Sequence, residues 1–218
     1  MAVELKFCGL TRDTDAAFAA SLGAAYVGVI FAESPRRVEP VNASAVFGPA
    51  RGRAKAVGVF GPATVETVAD IAAEAALDVV QLHGDPSAGI VERIRPFFAG
   101  EVWAVIRIAG AEMPAEALAL MTVADAVVLD AKVADRLGGT GTAFDWEGVA
   151  RTLDRQRIRS RIVLAGGLNP DNVAHAVRIV APDIVDVSSG VESAPGIKDH
   201  ARMRAFGDAV RRRGEAGE

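Results

Sequence analysis

Eight short apolar runs, with helix-like segments between them, constrain what this chain can fold into more than any other feature. They are VELKFCG (3–9), YVGVIF (26–31), AKAVGVF (54–60), DVVQLHG (78–84), EVWAVIRI (101–108), DAVVLD (125–130), RIVLAGG (161–167) and DIVDVSSG (183–190). Each is nearly continuous in apolar residues, the pattern of a strand covered on both faces in a parallel sheet. Seven intervening segments carry helix signals. PATVETVADIAAEAAL has Pro62 near its start and Val65, Val68, Ile71 and Ala72 at helical spacing. NPDNVAHAVRIV opens with Asn169 and Pro170 and sets Val173, Ala176, Val177 and Val180 on one face. RDTDAAFAASLGA, DPSAGIVERIRPFF, PAEALALMTV, DWEGVARTL and PGIKDHARMRAFGDAVRRR read similarly. Strands alternating with helices imply parallel pairing, and eight units over 218 residues (218/8, about 27 each) imply closure into a (β/α)8 TIM barrel, α/β in class. The competing open doubly wound sheet carries a dinucleotide glycine fingerprint after its first strand, and CGLTRD is not one. With no linker, charge block or low-complexity stretch, 1–218 reads as one domain with a frayed tail over 212–218.

Several function classes are excluded by composition. A formal net charge of −4 gives no basic excess for a nucleic-acid partner. One cysteine cannot form an internal disulfide, so nothing points to secretion. Glu4 and Lys6 interrupt the N-terminal apolar run, which argues against a signal peptide, and no run approaches the roughly 18 residues of a membrane span. The expectation is a cytoplasmic protein with no membrane partner. His83, His175 and His200 lie far apart without ligand-type neighbours, so no metal is expected, and no feature calls for a cofactor.

A barrel of this kind carries its active site at the C-terminal ends of its strands. The polar residues there are Cys8 after strand 1, Arg36 and Arg37 after strand 2, Gln81 and His83 at strand 4, Arg107 at strand 5 and Asp130 at strand 6. Gly166 and Gly167 follow strand 7; Asp186, Ser188, Ser189 and Gly190 stand at strand 8. Each has a bland reading by itself. A lone cysteine at a strand end is more often a small buried hydrophobe, an aspartate often caps a turn, a histidine often only packs, and glycines serve tight turns. Convergence on one rim shifts the odds. Exposed amides at the loops after strands 7 and 8, aided by a short helix that GVESAPG is expected to form, are a common phosphate site in barrels. The ligand class is therefore a phosphorylated small molecule. The glycine-rich segment RLGGTGTAFDW (136–146) suits a mobile cover over the mouth.

The ordered set KFCGLT, VGVIFAESPRRV, VGVF, VQLHG, VLD, GGTGTAFDW, LAGGLNPDNV and VDVSSGVESAPGIKD resembles the phosphoribosylanthranilate isomerase family of tryptophan biosynthesis nearly end to end. The resemblance implies a (β/α)8 barrel and a cofactor-independent intramolecular oxidoreductase of the aldose–ketose isomerase type, monomeric or homodimeric. It implies an Amadori rearrangement of N-(5-phosphoribosyl)anthranilate. It places the general base on Cys8 of the K-x-C-G motif and the general acid on Asp130. Arg36 of the S-x-R motif holds the anthranilate end, and Gly166, Gly167, Ser189 and Gly190 hold the phosphate. Ser188 joins them, and His83 joins the substrate contacts, by their places on the rim. Phe7, where a β-branched residue is common, and the missing asparagine after VGVF depart from the pattern without touching acid or base. Two other classes compete. One is a bifunctional phosphosugar isomerase of histidine biosynthesis, which uses two aspartates and carries a phosphate motif in each half. The other is a non-catalytic barrel that binds a phosphorylated ligand.

Overall fold

A computed structural model describes residues 2–110, 113–131, 145–155 and 160–212. The eight apolar runs form eight parallel strands: β1 (Glu4–Phe7), β2 (Tyr26–Ile30), β3 (Lys55–Phe60), β4 (Val79–Leu82), β5 (Glu101–Ile108), β6 (Ala126–Ala131), β7 (Arg161–Leu164) and β8 (Ile184–Val187). They pair in sequence order, and β8 returns to β1 with Glu4 opposite Ile184 and Lys6 opposite Asp186, closing the barrel. The helices between them are α1 (Asp13–Ser21), α2 (Pro40–Phe47), α3 (Val65–Glu74), α4 (Ala88–Ile94), α5 (Ala117–Val123), α6 (Trp146–Arg155) and α7 (Val173–Val180), with α8 (His200–Arg211) last. Helix α2 is the one whose sequence signal was too weak to single out. It has eight residues, and its N-cap Glu39 makes no side-chain bond to the first turn. Stronger signals sit elsewhere: Thr64 accepts from the Thr67 amide at the start of α3, and Asp199 accepts from the Ala201 and Arg202 amides of α8.

Alternation along each strand sorts the side chains into two cores. Outward-facing residues such as Leu5, Phe7, Val27, Val80 and Leu129 meet the helices, and Phe7 packs edge-on against Phe206 of α8 at 6.1 Å. Full burial of one such side chain stabilises by roughly 1.5–3 kcal/mol. Inward-facing Tyr26, Val57, Val79, Trp103, Val105, Val128, Val163 and Ile184 fill the barrel axis. The N-terminal end is closed by polar groups: Arg161 bonds Glu4 at 2.6 Å and the Tyr26 hydroxyl at 2.7 Å, and Trp103 Nε1 donates to Glu101 at 2.9 Å. The opposite end, where the strands' C-termini gather, is the mouth.

One expected element differs. The segment GVESAPG does not form a short helix. After a single 3-10 turn at Ser189–Val191, the chain folds into an antiparallel hairpin of β9 (Glu192–Ala194) and β10 (Ile197–Lys198). Gly196, at φ 79°, turns it, a left-handed conformation that glycine adopts at little cost. Of the segment 136–146, expected as a mobile cover, residues 136–144 lie outside the described residues, as does the tail beyond residue 212. Among the described residues, no helix is long and apolar enough to cross a membrane.

Candidate active site

The candidate site residues gather at the C-terminal ends of the strands, with Asp186 one level deeper inside the barrel, and they form distinct groups. Cys8 follows β1, and its amide donates to the Val187 carbonyl at 2.9 Å, which ties the loop after β1 to the end of β8. Its side chain is buried and reduced. A Cβ added to Gly28 on β2 would lie 3.0 Å from the Cys8 sulfur, so the thiol occupies space that only a glycine on the neighbouring strand leaves open. Below it, Lys6 points inward from the same strand, is 0% exposed, and pairs with Asp186 at 2.6 Å. Burial pushes the Cys8 thiol above its ordinary value; the Lys6 ammonium pulls it back, and Asp186 adds to the rise. Burial works against the charge of Lys6, yet Asp186 and Cys8 outweigh it and hold the ammonium above the ordinary lysine value.

A second group stands across the mouth. Asp130 on β6 is three strands from β1 by way of β7 and β8. Its Oδ2 lies 3.3 Å from His83 Nε2, and Gln81 Nε2 lies 3.4 Å from His83 Nδ1. Arg107 on β5 bonds the His83 carbonyl at 3.0 Å and Asp85 at 2.8 Å, pinning the loop after β4. His83 is thus held between an amide and the candidate acid.

The loops after β7 and β8 form a third group. Gly166 and Gly167 take φ values of 81° and 70°, which a side chain would strain. Asn172 holds their loop by donating to the Gly167 carbonyl at 2.9 Å and accepting from the Asn169 amide at 2.8 Å. A Cβ on Gly190 would collide with the Leu168 carbonyl, so the two loops touch backbone to backbone. Ser188 immediately precedes Ser189, its hydroxyl lies over Gly9, and Lys198 Nζ donates to its carbonyl at 3.0 Å and to its hydroxyl at 3.5 Å. Arg36, in the loop after β2, gives Nε and Nη2 to the two oxygens of Glu192 at 2.8 and 2.7 Å.

Sequence reasoning left Lys6 and the Glu192–Lys198 pair without a role. It noted Gln81 and Asp186 only as polar residues at strand ends. Gln81 Oε1 and Asp186 Oδ1 are buried and have no partner among the described residues. Inward alternation with Cys8, at two-residue spacing, was the signal that could have found Lys6. Among the described residues, no cluster of histidine, cysteine or carboxylate side chains is placed to hold a metal ion.

Residues 5–209 match the family model for N-(5'-phosphoribosyl)anthranilate (PRA) isomerase. An enzyme of Magnetococcus marinus called N-(5'-phosphoribosyl)anthranilate isomerase is 44% identical over 213 residues, covering 97% of each chain. The crystal structure of the phosphoribosyl anthranilate isomerase of Thermotoga maritima is similar with a TM-score of 0.86 and 34% identity, over 96% of this chain and 98% of that one. A phosphoribosyl anthranilate isomerase solved with reduced 1-(o-carboxyphenylamino)-1-deoxyribulose 5-phosphate is similar with a TM-score of 0.83 and 32% identity, over 96% and 98% of the two chains.

Proposed function

The chain belongs to the N-(5'-phosphoribosyl)anthranilate isomerase family, and we propose that Cys8 and Asp130 are the base and the acid with which it performs that family's reaction. The reaction is an Amadori rearrangement in tryptophan biosynthesis. It turns N-(5-phosphoribosyl)anthranilate into 1-(o-carboxyphenylamino)-1-deoxyribulose 5-phosphate, an intramolecular aldose-to-ketose isomerisation. In the first step the Asp130 carboxyl gives a proton to the furanose oxygen as the bond from that oxygen to the anomeric carbon breaks, and the anthranilate nitrogen's lone pair forms an iminium. In the second, the Cys8 thiolate takes the proton from the adjacent carbon, and the electron pair left behind neutralises the iminium to an enolamine. Tautomerisation gives the ketone. One carbon is oxidised and its neighbour reduced within the same molecule, so proton transfers alone balance the reaction.

The observation that carries this assignment is the placement of the two groups. Cys8 and Asp130 face one mouth from strands far apart around the barrel, with the β7 and β8 loops on the rim between them. Lys6 beneath Cys8 favours the thiolate against burial. Gly166, Gly167, Ser188, Ser189 and Gly190 are read as the phosphate cradle, which anchors the substrate away from the breaking bond. His83 completes the substrate contacts, and Arg36 meets the anthranilate carboxylate. On this reading the partner is a phosphorylated small molecule and not a nucleic acid. The protein acts in the cytoplasm as one barrel domain, alone or as a homodimer.

The test follows the loss of phosphoribosylanthranilate fluorescence on adding purified protein. Cys8→Ala and Asp130→Ala are each expected to lower turnover by about a hundredfold or more while affinity for a phosphate-bearing product analogue barely changes. Near-parental turnover in Cys8→Ala would remove the thiol from the mechanism. Analogue binding without substrate loss in the parent would make the barrel a binding protein.

A further inference from the structure

Arg36 meets the mouth with one of its two hydrogen-bonding edges already taken. The Nε–Nη2 edge is locked side-on to Glu192 in a bidentate pair, and the Glu192 side chain is only 4% exposed. Glu192 Oε1 also accepts from Lys198 Nζ at 2.8 Å and from the Gly196 amide at 3.3 Å. Lys198 is fully buried in turn, and its ammonium reaches the Ser188 carbonyl. Two cations thus enclose one carboxylate, leaving a surplus of a single positive charge at the mouth, where the Arg36 side chain packs over Gly9.

We infer that Glu192 is a positioning residue: it holds Arg36 by its Nε–Nη2 edge so that the Nη1 end alone faces the substrate's ring carboxylate, with Lys198 cancelling the charge Glu192 would otherwise set against that carboxylate. The inference rests on the reading of Arg36 as the anthranilate contact. A guanidinium on a three-carbon stem has many rotamers, and fixing one removes an ordering cost from binding. A carboxylate beside Arg36 would by itself neutralise the guanidinium and repel an anionic ligand. Lys198, bonded to the same oxygen atom, restores the positive sign. Burial pushes Glu192 up, but the hydrogen bond from Arg36 and the charge of Lys198 outweigh it and hold the carboxyl below its ordinary range. Glu192 is thus favoured as the carboxylate beside Arg36, while burial pushes Lys198 below the ordinary lysine value and the Glu192 carboxylate supports its charge. The β9–β10 hairpin, which replaces the expected helix, is the element that delivers both Glu192 and Lys198 to this position.

The experiment compares two probes, the reduced product analogue and its counterpart lacking the ring carboxylate. Glu192→Gln is expected to weaken the carboxylated probe by about tenfold or more and raise KM similarly. Saturated turnover and the affinity of the decarboxylated probe should stay within about threefold. Equal weakening of both probes, or of neither, overturns the inference. So does failure of both Glu192→Gln and the charge-balanced Glu192→Gln/Lys198→Met variant to fold, since that outcome makes the network structural. Arg36→Ala separates the two readings. If it weakens both probes alike, the assignment of Arg36 to the carboxylate fails. If it discriminates between them while Glu192→Gln does not, only the positioning role of Glu192 fails.

Discussion

The thiol of Cys8 sits between opposing influences, and their balance has a kinetic consequence. Burial raises it and Lys6 only partly offsets the rise, so at neutral pH the thiolate is the minority form. If that thiolate is the base, kcat/KM carries the product of the thiolate fraction of Cys8 and the carboxyl fraction of Asp130, which move oppositely with pH, so the thiol has to be read directly. The ultraviolet absorbance of the thiolate, taken as the difference between the parent and Cys8→Ala from pH 6.5 to 9, should grow in only above neutrality, and a signal already complete at neutral pH rules out a thiol raised by burial. The sequence showed Cys8 at a strand end on the rim, which was enough to nominate it. It did not show how Lys6 bears on it. Lys6 reads as a polar break in an apolar run because both faces of a barrel strand are buried, so the two-residue alternation that turns Lys6 inward beside Cys8 is hidden among apolar neighbours. Arg36 and Glu192 were still less legible as partners, lying 156 residues apart on a loop and a hairpin.

At the scale of elements, the strands repeat a device that the sequence carries openly. Asp78, Asp125 and Asp183 each stand just before an even-numbered strand, in LDVV, ADAV and PDIV. Each carboxylate accepts from the second amide of the preceding strand: Ala56 on β3, Val102 on β5 and Ile162 on β7, all at 2.7 Å. The backbone answers in the same register, since the Asp183 amide donates to the Ile162 carbonyl at 2.9 Å. Odd and even strands are thus clipped in pairs at the N-terminal end, away from the chemistry. Asp183→Ala leaves the Ile162 amide without its acceptor and is expected to lower stability by about 1–3 kcal/mol with kcat unchanged. Urea melts beside steady-state rates check it, and a loss of kcat without loss of stability would contradict the division of labour between the two ends. The strands were readable because eight apolar runs at regular spacing have few other solutions. The hairpin β9–β10 was not readable. Its strands have three and two residues, too short for any period, and SAPG marks a turn without saying what flanks it.

For the molecule as a whole, closure of the barrel places a charged pair across the seam. Strand β8 meets β1 along four residue pairs, and one of them sets Lys6 beside Asp186 inside the barrel. A buried ion pair seldom stabilises a fold more than apolar residues of the same size would, whereas losing one partner is severe. Lys6→Met strands Asp186, whose Oδ1 already has no partner among the described residues, and is expected to cost about 3–5 kcal/mol. Removing both charges, as in Lys6→Met/Asp186→Leu, should recover most of that loss while leaving the enzyme impaired, because Cys8 loses the ammonium that favours its thiolate. Denaturant unfolding of the two variants, with rates measured on the same samples, decides the matter. A single variant as stable as the parent would mean that the pair contributes nothing to the fold, and a double variant less stable than the single would mean that the pair holds the seam shut. The expected order, with stability restored and turnover not, means that the seam tolerates a charge pair for the sake of the site above it.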